Sequence, residues 1–311
     1  MDQPAVVAVI VTYDRASLLR ECLDAVEDQV VGPDLIVVVD NASTDSTAAD
    51  LAARSWRVPS RVVRMSRNLG GAMGFAVGLR EAVDAGAQQV WLMDDDAIPD
   101  PDALQWLLAD LEAAAGVGRT PAFTCSAVTW HDGSAARMNI PRASATWNET
   151  ALLTGREVTD VETASFVSVL IPAAHATAVG LPHGSYFKWY DDTEYTLRLS
   201  RRFGAGLYSA RSVVRHLTAH NRGAAPWEAT DADVDLHARA LRNRVSASLS
   251  VRDARGLLSA TRDTAKVVVA PGLPVSRRVR LLGGYARGFG YRPAVRPASG
   301  RSWGARSRLR R

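Results

Sequence analysis

The sequence predicts an α/β protein built on a mostly parallel sheet with helices on both faces. Short β-branched runs alternate with amphipathic segments through the first third of the chain, each of a length that suits one strand or one helix. The chemically capable polar residues fall just after the strands, at the edge where such sheets hold their ligands.

The elements read in order as follows. "AVVAVIVTY" is a buried strand, and "ASLLRECLDAVEDQ" is a helix with Leu18, Leu19, Cys22, Leu23 and Val26 on one face. "DLIVVVDNAS" is a second strand, "STAADLAARSW" a helix and "RVVRMS" a third strand. After the turn "RNLGGAMG", "FAVGLREAVDAG" is a helix stopped by Gly86 and "QQVWLMD" is a fourth strand. "DPDALQWLLADLEAAAG" reads as a helix with Pro101 in its first turn. Beyond residue 120, "PAFTCSAVTW" and "ASFVSVLIP" read as strands around a polar stretch, 131–162, of low helical signal, which is either an acceptor groove or irregular surface. "DDTEYTLRLSRRFG" and "DADVDLHARALRNRVSASLSVRD" are helices, with Gly204 near the end of the first.

Bulk properties narrow the function. A chain of 311 residues with 47% hydrophobic content supports a well-cored protein and excludes disorder throughout. Two cysteines, Cys22 and Cys125, are too few for a disulfide scaffold or thiolate zinc cluster and read as buried thiols of a reducing compartment. "MDQPAVVAVIVTYDR" lacks the basic start of a secretory signal, and no apolar run is long enough to span a bilayer, so the expected location is cytoplasmic. Residues 264–311 carry Lys266 and eleven arginines with no acid, whereas the preceding 263 residues carry 33 acids against 25 basic side chains. That basic end suits an anionic membrane, nucleic acid or a charged partner, or is merely a solubilising tail.

The constellations sit at strand ends. "WLMDDDAIPDPDAL" places Asp94, Asp95 and Asp96 side by side, which is unfavourable without a cation or proton to relieve the repulsion. An exposed acidic turn would relieve it with solvent; a divalent cation shared with a diphosphate would relieve it with function. "SRNLGGAMGF" sets Arg67, Asn68, Gly70, Gly71 and Gly74 between a strand and a helix, where a glycine-rich turn serves either packing or close approach to phosphate. It matches neither the P-loop nor the dinucleotide fingerprint. Asp40 and Asn41 end the second strand and either form an Asx turn or bond a base or ribose. "FKWYDDTEYTLRL" carries Asp191, Asp192 and Glu194 at a helix entrance, flanked by Trp189, Tyr190 and Tyr195. The carboxylates there are either a cap favoured by the helix dipole or a base beside rings that stack on a sugar. In "SVVRHLTAHN", His216 ends a strand as a packed imidazole or as a ligand completing the Asp site.

Taken together, "VIVTYDR", "VVVDNASTD", "RNLGGAMGF", "WLMDDDAIPDPDAL", "WYDDTEYTLRL" and "VVRH" resemble family 2 of the inverting glycosyltransferases with a GT-A, Rossmann-like fold, over about residues 5–250. Within it, the uninterrupted "DDD" with "KWYDDTEYTLR", "RHLTAH" and "LRNR" is most similar to galactofuranosyltransferases of cell-wall galactan synthesis, with dTDP-rhamnose-dependent rhamnosyltransferases close behind. The resemblance implies a nucleotide-sugar donor, UDP- or dTDP-linked, and Mn²⁺ or Mg²⁺ held by Asp94, Asp96 and His216. It implies Thr12, Tyr13 and Arg15 beside the nucleotide, Asp40 on the base with Asn41 next to it, Arg67, Asn68, Gly70 and Gly71 near ribose and diphosphate, and Asp95 nearer the sugar. Asp192 is the implied general base, Asp191 the runner-up, Glu194 a residue orienting the acceptor hydroxyl, and Trp189, Tyr190 and Tyr195 the acceptor contacts. The expected organisation is a domain over 1–250, divided into a nucleotide half (1–118) and an acceptor half (119–250), then a helical extension (251–291) and a basic, flexible tail (292–311). The chain lacks the large additional β domain of galactan polymerases, which points to transfer of one or two sugars to a glycan or polyprenyl-diphosphate-linked acceptor. Phe289, Tyr291 and Trp303 among the arginines suit docking on the inner face of a membrane. A nucleotide-sugar-binding protein without catalysis is the rival reading, disfavoured because every candidate position holds a competent side chain. A nucleic-acid-binding protein would rest on the basic tail alone.

Overall fold

A computed structural model describes residues 5–223 and 225–299, together with the backbone of 307–310. Four strands, β1 (Val6–Thr12), β2 (Leu35–Asp40), β3 (Ser60–Arg64) and β4 (Gln89–Asp94), lie parallel in the order β3-β2-β1-β4. Their connections are α1 (Ala16–Glu27), α2 (Thr47–Ala53) and α3 (Gly71–Asp84). The register aligns the carboxyl ends: Thr12 pairs with Asp40, and Val11 with Asp94. Residues with functional potential on three strands are thereby brought to one level.

The alternation of side chains along a strand explains why these runs are apolar throughout. Val7, Val9 and Val11 enter one core layer with Val37, Val39 and Leu79 of α3, while Ala8 and Ile10 enter the other with Leu19, Leu23 and Val26 of α1. Each of these α1 side chains is fully buried, which stabilises the fold by about 1.5–3 kcal/mol apiece. Gly74 and Gly78 let α3 lie close on β1; a Cβ at either would come within 2.4 Å and 2.2 Å of Val11 and Val9.

Beyond β4 the sheet continues with antiparallel pairs, apart from a parallel pairing of β6 with β9. In chain order these elements are β5 (Ala97–Pro99), α4 (Ala103–Gly116), β6 (Thr124–Trp130), α5 (Glu149–Thr154), β7 (Val158–Val161), β8 (Val169–Pro172), α6 (Ala173–Val179), α7 (Asp191–Phe203) and β9 (Gly206–His216). The sheet runs on from β4 as β8-β6-β9-β5, with β7 against β9. Strand β10 (Ser307–Arg310) pairs antiparallel with β3 at the opposite edge. Helices α8 (Val234–Ser250), α9 (Ala254–Val269) and α10 (Val275–Gly290) follow and share a core of Val234, Leu241, Val267 and Leu281.

Several local expectations change. Pro101 lies in the turn before α4, whose cap position is Asp102, because β5 uses the residues up to Pro99. Helix α3 begins at Gly71, so the glycine run is its first turn rather than a loop ahead of it. The polar stretch 131–162 contains α5 and β7. Within residues 292–298 the chain touches the body at two points, the Arg296 carbonyl accepting a hydrogen bond from Leu181 N at 2.8 Å and Ala298 being fully buried, while most of the other side chains are exposed. Trp303, Arg301, Arg306 and Arg311 lie outside the described residues. Cys22 and Cys125 are buried free thiols. Among the described residues no helix is long and apolar enough to cross a membrane.

Candidate active site

The carboxyl edge of the parallel strands opens into a cleft with a cavity volume of about 550 Å³. Thr12, Tyr13, Arg15, Asn41, Asn68, Gly70, Gly71 and Asp94–Asp96 line it together with His216, and Trp189, Asp191 and Asp192 line it from the segment that enters α7. The strand ends and the distant acidic cluster therefore meet in one place.

Chain topology brings His216 to the acidic run. Strand β5 starts immediately after Asp96 and runs antiparallel to β9, pairing Ala97 with His216, and Leu217 N donates to the Asp96 carbonyl at 2.9 Å. His216 Nε2 stands 3.2 Å from Asp96 Oδ1. Its Nδ1 lies 2.9 Å from Asn139 Oδ1, and the Asn139 amide donates in turn to Ser165. Burial lowers His216, but the Asp96 and Asp94 carboxylates outweigh it and hold the imidazolium above its ordinary value. Once Nε2 is deprotonated, with Nδ1–H given to Asn139, the ring offers the lone pair a metal ligand needs.

The charge puzzle resolves into an incomplete neutralisation. Arg15 donates to Asp95 at 3.1 Å and also to Asp96, and the Thr12 hydroxyl donates to Asp95 at 2.7 Å. Burial, reinforced by Asp96, pushes Asp94 up to about 8. Burial also raises Asp95 to about 6 against the opposing pull of Arg15 and Thr12. Asp96 falls below the ordinary carboxylate range: burial pushes it upward, but His216 and Arg15 outweigh that. One guanidinium and one imidazole do not suffice for three carboxylates, so Asp94 holds a proton where a cation would otherwise serve. One ligand atom each from Asp94, Asp96 and His216 lies within 4.8 Å of the others, and Asp96 Oδ1 makes no well-formed hydrogen bond to any described residue.

At the end of β2, Asp40 is buried and does not line the cleft. Its Oδ1 accepts from Ser43 N at 2.8 Å, closing an Asx turn, while the buried Oδ2 has only Arg64 Nε, 3.5 Å away. Asn41 is spent on the glycine turn, donating to the Gly70 carbonyl at 2.9 Å, so it shapes the cleft wall instead of offering a free amide. Asn68 Oδ1 accepts from Gly70 N at 2.8 Å. Arg67 is exposed and does not line the cleft. Gly70 has φ +84°, and a Cβ there would stand 2.0 Å from the Phe187 carbonyl oxygen, so no other residue fits without moving that segment. Helix α3 then starts at Gly71 with its amino terminus on the cleft, a favourable place for anionic groups.

On the other side, neither Asp191 nor Asp192 is the cap of α7. Tyr190 occupies that position in left-handed geometry, and the two carboxylates belong to the first turn. Asp192 Oδ1 accepts from Thr193 N at 2.6 Å. Burial raises Asp191 to about 8, with Asp192 adding to the effect; burial likewise raises Asp192, opposed by the Thr193 contacts. A carboxylate so desolvated holds a proton better than one in water, which suits a general base.

Three expected acceptor contacts are corrected. Glu194 is fully buried and held by Arg198 through two 3.0 Å hydrogen bonds, so it reaches no acceptor. Tyr195 is fully buried in the core near Phe166 because its position in α7 faces the sheet. Tyr190 packs with Tyr186, Ala72 and Ala247. Only Trp189 of the three rings lines the cleft. Phe187, Lys188 and Asn139 line it as well, none of them marked by any periodic or charge signal in the sequence. Phe187, Trp189 and Tyr190 all have φ near +70°. Left-handed backbone costs a non-glycine residue about 1–2 kcal/mol, so the segment entering α7 is strained.

A parallel sheet whose carboxyl edge gathers an acidic run, a histidine and a second pair of desolvated carboxylates around one cleft is the layout of a glycosyltransferase of GT-A fold. The model of the family described as Glycosyl transferase family 2 matches residues 7–166, and the chain belongs to that family. Among curated proteins, Galactofuranosyltransferase GlfT1 of Mycolicibacterium smegmatis is 45% identical over 105 residues, covering 33% of this chain and 34% of that protein. Galactofuranosyltransferase GlfT1 of Mycobacterium tuberculosis is 32% identical over 204 residues, covering 63% of this chain and 65% of that protein. Both matches thus cover less than two thirds of those relatives' length. Among solved structures, GalNAc-T7 with UDP, GalNAc and Mn²⁺ aligns over 93% of this chain and 56% of that chain, with a TM-score of 0.59 at 14% identity. The mannosyltransferase PcManGT from Pyrobaculum calidifontis, in complex with GDP-Man and Mn²⁺, aligns over 93% of this chain and 88% of that chain, with a TM-score of 0.52 at 15% identity. These structural likenesses establish the fold.

Proposed function

We propose that the chain transfers galactofuranose from UDP-galactofuranose to a hydroxyl of a glycan or polyprenyl-linked acceptor, with inversion at the anomeric carbon. The observation that carries the chemistry is the presence of Asp192 in the same cleft as Asp94, Asp96 and His216. The sugar is supported by the names of the matched curated relatives. A dTDP-rhamnose-dependent enzyme is the second reading, favoured by the shared sequence pattern around the triple Asp.

In this reading Asp94, Asp96 and His216 hold Mn²⁺ or Mg²⁺, a fit supported by the spacing of their ligand atoms and by the poorly satisfied Asp96 Oδ1. When bound, such an ion supplies charge neutralisation for the departing diphosphate. The amino terminus of α3, entered through Gly70 and Gly71, receives phosphate oxygens. The assignment of Asp40 to the base rests on the family resemblance, since its Oδ2 is buried beside Arg64 and away from the cleft lining. Arg15 and Thr12 hold Asp95 toward the donor sugar.

Trp189 offers a ring face to the acceptor sugar. Asp192 takes the proton of the acceptor hydroxyl while that oxygen bonds to the anomeric carbon. The bond from that carbon to the diphosphate oxygen breaks, nucleoside diphosphate departs, and the proton remains on Asp192. A single displacement of this kind needs one carboxylate base and inverts the centre. Residues 1–118 are then the nucleotide half, 119–250 the acceptor half, and 251–291 a helical extension.

A panel of nucleotide sugars, assayed with Mn²⁺ for acceptor-dependent release of nucleoside diphosphate, tests the assignment. Turnover is expected to be fastest with UDP-galactofuranose. Faster turnover with dTDP-rhamnose would replace the proposed donor, and no turnover with any sugar nucleotide would remove the activity.

A further inference from the structure

We propose that Asn243 is a positioning residue for transfer, clamping the strained segment 186–190 so that Trp189 and the Asp191–Asp192 pair face the acceptor. Asn243 belongs to α8 and is fully buried. Its Nδ2 stands 2.8 Å from the Tyr186 carbonyl oxygen, 3.2 Å from that of Lys188 and 3.1 Å from that of Trp189. An amide carries two N–H donors, so three carbonyls converging on one Nδ2 share them.

The orientation of the amide is enforced from its other side. Arg242 donates to Asn243 Oδ1 through Nε at 3.1 Å and Nη2 at 2.7 Å. A guanidinium has no acceptor, so it fixes the oxygen toward itself and turns the two N–H groups onto the segment. Arg242 is itself stacked on the Tyr291 ring, 4.0 Å from its centre.

What is clamped would not hold that shape unaided. Lys188 N donates to the Tyr186 carbonyl at 2.8 Å across Phe187, whose φ of +70° and ψ of −58° make this a strained γ-turn. Trp189 and Tyr190 are also left-handed, and none of the three is glycine. On the far side the Phe187 carbonyl accepts from Ala72 N at 3.2 Å, in the space that Gly70 leaves open. The segment is thus gripped between the glycine turn and Asn243, and it leads straight into Asp191 and Asp192. Without the amide, the Lys188 and Trp189 carbonyls lose this donor, the Tyr186 carbonyl keeps only Lys188 N, and the backbone relaxes toward right-handed geometry, which moves Trp189 and the first turn of α7.

The inference rests on the reading of the cleft as the transfer site, so its test has one arm that needs no turnover. In full-length Asn243→Ala and the isosteric Asn243→Asp, amide hydrogen exchange across 186–190 is expected to rise at least about tenfold while exchange in β1 and β2 stays as in the wild type. Acceptor kcat/KM is expected to fall about 100-fold, the usual cost of a misplacement near 1 Å, with the donor KM unchanged. Unchanged exchange across 186–190 in both variants would overturn the clamp. Native acceptor kinetics in both variants, or an equal loss of donor and acceptor affinity, would overturn the positioning role. A wild-type chain that transfers no sugar would instead count against the proposed function, and the exchange arm would still decide the clamp.

Discussion

Asp192→Asn is expected to slow sugar transfer by about 10²–10⁴-fold, the range that a positioned general base supplies, and to leave donor binding unchanged. The substitution keeps the size of the side chain and its acceptor oxygen toward Thr193 N, so the first turn of α7 is retained. What is lost is the ability to take a proton. The pH dependence should follow. Burial raises Asp192 in the folded chain, so its proton is held at a higher pH than the ordinary aspartate value near 3.9. As pH falls through that raised value the base becomes protonated, so wild-type kcat/KM for the acceptor should decline on an acid limb placed above the ordinary range. Steady-state kinetics across pH should show that limb in the wild type and only the small residual rate in Asp192→Asn. A larger loss in Asp191→Asn than in Asp192→Asn would move the base to Asp191, which also lines the cleft.

Asp96→Ala is expected to weaken metal-dependent donor binding by at least about 100-fold, more than is typical for groups that only support a ligand. Asp96 is the hinge of the acidic run, with one oxygen toward His216 and the other held by Arg15. Its removal leaves two of the three candidate ligands, and one of them, Asp94, stays raised by burial though no longer by Asp96. The fold loses the pairings with Arg15 and His216 that hold the Asp96 carboxyl below the ordinary range, so the variant is expected to be somewhat less stable than the wild type even though repulsion with Asp94 and Asp95 is relieved. Thermal unfolding followed with UDP, with and without Mn²⁺, separates the two effects. The apo midpoint should fall somewhat below the wild type, and the added protection by UDP with Mn²⁺ that the wild type shows should be lost. Full protection in the variant would dismiss Asp96 as a ligand.

The parallel half of the sheet was legible because its strands are buried on both faces, which leaves uninterrupted runs such as "VVAVIVT". The acidic run was legible as an electrostatic oddity at a strand end. The arrival of His216 was not legible from physics alone: it depends on β5 pairing with β9 across more than a hundred residues, and the family pattern supplied what periodicity lacks. Glu194 was misread although its signal was present, since Arg198 stands one helical turn further on and takes both its oxygens. Tyr195 was misread because a short helix with few apolar positions does not reveal its buried face. Asn243 stood out only as part of "LRNR" in the family resemblance, and the left-handed backbone of Phe187, Trp189 and Tyr190 left no local trace, because conformations of that kind are announced by glycine and no glycine lies between 185 and 190. Residues held in unusual geometry by a distant side chain are visible only once the chain is folded.

The central claim is a single displacement in one cleft, with Asp192 as the one base. It is tested most directly by following the anomeric signals of the first glycosidic product by NMR during turnover. Product formed solely with the anomeric configuration opposite to that of the donor is expected; product that retains the donor configuration would require two displacements or attack on the face the diphosphate leaves and would contradict the mechanism.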